Sequence, residues 1–230
     1  MKKHRALQPP FDGAVLLEPH AHTAEVSLCS ELPAAQLVQL AAAHGYGAMV
    51  VTDHFAAGHT ETPAQREAFA RGYRLAYEAG LACGVVVLPG MELRFPEEGW
   101  EDYLVYLPDP ALMLTLPDLT GYTASAFRPL ADAHGMLVYQ AHPFRPGQRA
   151  AVPSALHGME IHNGNPNHDS SNHRALAYAR QHGLGMLSGS DLHEERGVRR
   201  GGIWVPPDAL TPAGFVAYLR AHPAPDAYIP

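Results

Sequence analysis

The chain alternates short apolar runs with longer stretches in which apolar residues recur at helical spacing. Ala14-Val15-Leu16-Leu17 is continuous, follows Asp12-Gly13 and leads into Pro19-His20-Ala21-His22-Thr23, so it reads as a short buried strand. From about Pro33 to Ala43, Leu37, Leu40 and Ala41 share one helical face, with Ser30 as a candidate cap and His44-Gly45 as the stop. A second strand, Gly47 to Val51, finishes in Thr52-Asp53-His54, and Thr62-Pro63 opens a second helix carrying Phe69, Tyr73 and Ala76 on one side. Val85 to Leu88 follows and ends in Pro89-Gly90-Met91-Glu92; Tyr103 to Leu107 is the next strand, with Asp102 at its start. A Pro-rich loop precedes a short helix from about Pro129 to Ala133, closed by His134-Gly135, after which Met136 to Tyr139 runs into Gln140-Ala141-His142-Pro143. Gly158 to Ile161 is a weaker strand, Asn163 to Ser171 a polar loop, and Asn172 to about Gln181 a helix. Leu184 to Leu187 leads into Ser188-Gly189-Ser190-Asp191-Leu192-His193, Ile203-Trp204-Val205 forms a last strand, and Thr211-Pro212 opens a C-terminal helix with Phe215 and Leu219.

Strands alternating with helices imply parallel pairing through βα units. About seven such units without a linker favour an α/β barrel of the TIM-barrel kind over an open sheet, with residues 1–230 as one domain. Hydrophobic residues make up 47% of the chain, enough for a large core. No apolar run reaches the ~20 residues needed to cross a bilayer. The basic start Met1-Lys2-Lys3-His4-Arg5 is followed by Gln8-Pro9-Pro10 where a secretory signal needs an apolar stretch, and Cys29 and Cys83 are too few for a disulfide framework. A cytoplasmic protein is therefore expected. The net charge of −7 argues against a broad nucleic-acid surface and leaves a small anionic substrate, all the more so where bound divalent ions add local positive charge.

The chemistry enters with the polar residues. His20 and His22 are two apart and project from the same strand face, where paired imidazoles suit a divalent metal. Alone the pair is weak, since the chain holds 15 histidines. Yet Asp53 and His54, Glu92, His142, and Asp191 and His193 also stand at the C-terminal ends of strands, which converge on one face of a parallel barrel. By contrast His44, His134 and His182 each precede Gly at a helix end, where the macrodipole and the αL cap explain them structurally.

The set His20-x-His22-Thr23, Thr52-Asp53-His54, Gly90-Met91-Glu92, Ala141-His142-Pro143 and Gly189-Ser190-Asp191-Leu192-His193 resembles the PHP family, the polymerase and histidinol phosphatase domain. The likeness runs through almost the whole chain in the family's order. It implies a distorted seven-stranded β/α barrel, a cluster of two or three divalent ions (Zn, Mn or Fe) and hydrolysis of a phosphate ester. By the same resemblance His20, His22, Glu92 and Asp191 hold one ion, Glu92 bridges to a second on His142, and His54 and His193 hold a third. Asp53 would orient a ligand from behind.

Two departures stand out. Asp102 occupies the place where many members put a histidine for the second ion, and after His22 the chain reads Ala24-Glu25-Val26-Ser27-Leu28-Cys29, with only Glu25 and Cys29 as substantial candidates for the third. Two ions would acidify a bridging water for in-line attack on phosphorus, and an arginine would hold the phosphate: Arg145, after His142-Pro143-Phe144, or Arg94, near Glu92. Glu160 reads as a supporting carboxylate, and His162, His168 and His173 as surface residues or substrate contacts. Two other functions compete. An amidohydrolase-like hydrolase typically needs a carboxylated lysine on a central strand, whereas this chain has only Lys2 and Lys3. A non-catalytic metal-binding or regulatory module is the other. The resemblance names no substrate; a small phosphorylated molecule fits the charge better than a long nucleic acid.

Overall fold

In the computed structural model, which describes residues 8–56 and 60–230, the first apolar run is the head of a longer strand, β1 (Val15–Ala21). The basic segment Met1 to Arg5 lies outside the described residues. After α1 (Ala34–Ala43) come β2 (Ala48–Val51), a short β3 (His54–Ala56) and α2 (Pro63–Cys83). Thr62 and Gln65 close a capping box at the start of α2, and Gly84 ends it with a φ of 72°. Then follow β4 (Val86–Arg94), β5 (Asp102–Tyr106), α3 (Leu112–Thr115), α4 (Ala124–Ala133), β6 (Leu137–Gln140), β7 (Gly158–Asn163), α5 (Asn172–His182), β8 (Gly185–Gly189), β9 (Ile203–Val205) and α6 (Pro212–Ala221). Helix α4 starts earlier than Pro129 predicts, because the Thr123 side chain caps the Ala126 N–H and the proline is accommodated inside the helix.

The strands form one curved sheet in the order β8-β7-β6-β5-β4-β2-β1-β9, with β3 beside β4. It closes on itself at the upper rim, where Leu192 N–H donates to His20 O and His22 N–H donates to Leu192 O, each at 3.0 Å. The all-parallel expectation needs correction at two strands. β9 runs antiparallel to β1, and β5 runs antiparallel to both β4 and β6. The reversal of β5 has a consequence for chemistry: its first residue, Asp102, sits at the same rim as the last residues of the parallel strands.

Leu17, Val50, Leu88, Leu104, Tyr106, Tyr139 and Leu187 fill the barrel interior, and Phe215, Val216 and Leu219 of α6 pack against them. Two outer layers join the sheet to α1 and α2, and to α2 through α5. Among the described residues no helix is long and apolar enough to cross a membrane.

The position of the first two histidines depends on a break in β1. Leu16 and Ala21 both belong to the outer layer, although five residues apart they would face opposite ways in a regular strand. The pairing of β1 with β2 shifts register between Glu18 and Ala21, so one residue is inserted and the faces exchange. Without that bulge His20 and His22 would point outward with Leu16. With it they point into the mouth of the barrel.

Candidate metal centre

His20, His22, Glu92, His142 and Asp191 are all buried, none exposing more than 2% of its surface. Glu92 lies opposite His54 across the β3–β4 pair, and His142 and Asp191 follow β6 and β8 with φ values of 27° and 52°. Non-glycine residues held at positive φ are strained, and here both carry side chains into the same cluster.

Each buried imidazole is pinned from behind through Nδ1. Glu160 Oε1 lies 3.0 Å from His20 Nδ1, Ser27 Oγ 3.2 Å from His22 Nδ1 and Gln148 Oε1 2.9 Å from His142 Nδ1. Ser27 in turn donates to Asp53 at 2.8 Å, and Asp53 also accepts from the Thr23 N–H and hydroxyl at 2.7 Å each. Among the described residues Asp53 hydrogen-bonds to no imidazole of the cluster; it fixes the hydroxyl that fixes His22. With Nδ1 as the donor, each Nε2 turns a lone pair inward.

What those lone pairs meet is unusual. His20 Nε2 is 3.5 Å from Glu92 Oε1 and 3.2 Å from Asp191 Oδ1; His22 Nε2 is 3.4 Å from Glu92 Oε2 and 3.5 Å from Asp191 Oδ1. His20 Nε2, His22 Nε2, Glu92 Oε1 and Asp191 Oδ1 are buried with no hydrogen-bond partner. Imidazole lone pairs facing carboxylates repel unless a cation stands between them. An ion bound tetrahedrally at about 2.0–2.1 Å separates its ligands by about 3.3–3.4 Å, and the four imidazole–carboxylate gaps of 3.2–3.5 Å bracket that value. The donor set of imidazole and carboxylate also suits a borderline divalent ion. The residues fit a metal.

Charge points the same way. Despite burial, the His54 and His20 charges hold the Glu92 carboxyl well below its usual range, and that of His20 does the same for Asp191. Against burial, Glu92 lifts His54 to about 11 and His142 to about 9, and Asp191 lifts His193 to about 10. Burial and the nearby His193 push His22 down instead. The pocket calls for positive charge, whether as protons or as ions.

Beyond this group, ring nitrogens of His22, His54 and His193 lie within 4.8 Å of one another, as do ligand atoms of Glu92, Asp102 and His142. Asp102 is already engaged: Arg94 grips both oxygens at 2.7 and 2.8 Å, and Gln148 donates to Oδ2 at 3.1 Å. Glu25 is turned away, capping α1 by accepting from the Ala34 N–H at 2.9 Å. Cys29 instead reaches the cluster, with Sγ 3.3 Å from His54 Nε2. Burial would raise this thiol, but hydrogen bonds to His193 and His54 bring it down to about 6.

A cleft of about 640 Å³ opens over the cluster, lined among others by Arg94, Arg145, Asn165, His168 and Arg196. A larger hollow of about 1250 Å³ near the C-terminus contains none of the converging ligands. The Arg145 side chain makes no hydrogen bond or ion pair with any described residue, whereas Arg94 is committed to Asp102 and Arg196 to Glu194. His168 Nε2 is buried, without a hydrogen-bond partner, 3.6 Å from Asp191 Oδ2. His162 is structural, contacting Arg200 O and the Asn172 amide.

Several contributors escape sequence reasoning. Glu18, fully buried, accepts from the N–H groups of His20 and Ser190 at 3.0 and 2.9 Å. Ser27 and Gln148 orient imidazoles, and Asn163 and Asn165 donate to Asp191 Oδ2 at 3.2 and 3.1 Å. No short motif marks them, because each acts through contacts made only on folding; Asn163 and Asn165 sit in the stretch that reads as a plain polar loop.

Comparison with known proteins agrees with this picture. A family model described as PHP-associated matches residues 169–222. Solved structures sharing the fold include a two-domain protein from Bacteroides vulgatus containing a predicted PHP-like metal-dependent phosphoesterase, at 18% identity and a TM-score of 0.67, over the whole of this chain and 69% of that one. An amidohydrolase from Chromobacterium violaceum with bound sulfate and no metal shares 16% identity at a TM-score of 0.53, over 77% and 87% of the two chains. Endonuclease Q, in complex with a 27-mer duplex bearing an abasic lesion, shares 14% identity at a TM-score of 0.55, over 83% of this chain and 52% of its own. No curated protein matches. The family match and the fold together support the PHP-domain likeness carried by the sequence motifs.

Proposed function

We propose that this chain, PHP-like in fold and in its match over residues 169–222, is a metal-dependent phosphoesterase acting on a small phosphorylated molecule. The reading takes residues 1–230 as one such domain, and the reducing cytoplasm suits its two free thiols. The observation that carries it is the convergence of buried, partnerless ligand atoms on His20, His22, Glu92 and Asp191, with imidazole–carboxylate gaps of 3.2–3.5 Å.

These four residues would hold one divalent ion; Glu92 and His142, with Asp102 beside them, would hold a second; His54 and His193 would hold a third. Zinc, manganese and iron match the donors best. When bound, such ions supply Lewis-acid charge and make a water acidic enough to act near neutral pH. The remaining work falls to side chains. Arg145 offers a free planar fork to two phosphate oxygens, and His168 offers a further ring nitrogen in the same cleft. Glu160, Gln148 and the Asp53–Ser27 pair hold the Nδ1 protons in place, keeping each Nε2 directed inward.

The test is hydrolysis of an aryl phosphate by purified protein, before and after chelation and after refilling with zinc or manganese. Activity that vanishes on chelation and returns with metal supports the reading; none under any metal overturns it. An amidohydrolase neighbour keeps carbon–nitrogen bond hydrolysis as a second reading, disfavoured because the chain has no lysine besides Lys2 and Lys3. A nucleic-acid substrate is the outcome to check beside small esters, given the Endonuclease Q fold neighbour.

A further inference from the structure

Where the resemblance leaves the third ion short of a ligand, the structure supplies a sulfur atom. Cys29 sits in the loop between β1 and α1, two residues beyond Ser27, which is anchored by Asp53 and accepts from the His54 N–H at 3.1 Å. Ser30, the next residue, donates to His22 O at 2.9 Å and to His193 O at 3.2 Å. Cys29 is thus held between two anchors tied to the histidine-bearing segments. Its Sγ is 3.3 Å from His54 Nε2, and His193 lines the same cleft. An ion bound tetrahedrally to one sulfur at about 2.3 Å and one nitrogen at about 2.05 Å separates them by about 3.5–3.6 Å. The observed gap is close to that value.

A second observation points to a ligand at the same place. Ring nitrogens of His22, His54 and His193 lie within 4.8 Å of one another, three converging imidazoles with Cys29 Sγ beside them, although His22 Nε2 itself would serve the first ion. Glu25, the other nearby acceptor, is spent on the α1 N-terminus. We propose that Cys29 completes a third metal site with His54 and His193, binding as a thiolate. On metal uptake the thiol proton passes to solvent and the sulfur lone pair goes to the ion.

The chemistry that follows is distinct from that of an all-oxygen-and-nitrogen site. A thiolate favours zinc, iron or cobalt over manganese, magnesium or calcium. It also makes the third ion sensitive to thiol oxidants and alkylating agents, because Cys29 is solvent-exposed. The inference rests on the metal reading of the site but not on the reaction assigned to it.

The experiment uses the full chain, stripped with a chelator and titrated with cobalt(II), comparing wild type, Cys29→Ser and Cys83→Ser. Wild type and Cys83→Ser should develop a sulfur-to-cobalt charge-transfer absorption in the near ultraviolet, and Cys29→Ser should lack it. Zinc should slow alkylation of Cys29, followed by peptide mass spectrometry, at least about tenfold, and Cys29→Ser should weaken the third zinc equivalent by about 10–100-fold. The proposal is overturned if wild type shows no such band at any cobalt ratio, if the band survives in Cys29→Ser, or if zinc leaves the alkylation rate unchanged. Aryl phosphate hydrolysis persisting without the band removes the cysteine ligand and leaves the phosphoesterase reading intact. A band without hydrolysis does the reverse.

Discussion

Glu18 offers a prediction whose size follows from the structure. It lies behind His20, fully buried, and its Oε1 accepts from two backbone N–H groups while its Oε2 has no partner. Burial dominates those hydrogen bonds and raises the carboxyl from 4.5 to about 7. Between these values the folded chain holds a proton that the unfolded chain has released. Stability therefore falls as pH rises from about 4.5 to about 7 and is flat above. At about 1.4 kcal/mol per pH unit, the full loss is on the order of 3 kcal/mol. Glu18→Gln keeps the accepting oxygen and cannot ionise, so it removes this slope. Urea unfolding of chelated wild type and variant at pH 5 and pH 8 gives a double difference in which pH-independent costs of the amide cancel. The variant should gain about 2–3 kcal/mol on wild type between the two pH values. Equal pH dependence in both proteins, or a gain toward low pH, would refute the claim that a buried, mostly neutral acid underlies the first histidine.

Other perturbations separate ligands, anion-holding groups and packing. His20→Ala and Asp191→Asn should each lower metal-restored aryl phosphate hydrolysis at least about a thousandfold and cost one bound ion by elemental analysis, with circular dichroism unchanged. Arg145→Ala should raise KM for an anionic ester about tenfold or more without changing metal content, as loss of a bidentate phosphate contact requires. Arg94→Ala should act differently, destabilising the fold by about 2 kcal/mol in urea titration because Asp102 loses its ion pair while staying buried. Gly72→Ala adds a good helix former to α2, yet its Cβ would collide with Asp53 Oδ2 and Thr23 Oγ1. It should lower the melting temperature and weaken zinc binding, whereas relief of helix propensity alone would raise stability by about 1 kcal/mol.

Much of this site is legible in the sequence because its parts stand at the ends of apolar runs. His20, His22, His54, Glu92, His142, Asp191 and His193 do meet in one place, as the alternation of strand and helix implies. What periodicity cannot convey is strand direction and register. Tyr103 to Leu107 reads the same forwards or backwards, so the reversal that brings Asp102 to the rim is invisible until β5 pairs with β4 and β6. Nor does the pattern reveal the bulge at Glu18 to Ala21, since the apolar run ends at Leu17, just before the faces exchange. The commitments of Asp102 to Arg94 and of Glu25 to Ala34 are contacts between segments, and no local rule predicts them. Glu18 is harder still, a carboxylate inside a strand at a position where an apolar residue is the default.

The measurement that bears most directly on the account is anomalous diffraction from crystals of the zinc-loaded protein, collected on both sides of the zinc edge. A peak about 2.0–2.2 Å from His20 Nε2, His22 Nε2, Glu92 and Asp191 is the predicted result. A map with no peak among those four side chains, or with zinc bound only at exposed surface histidines, would contradict it.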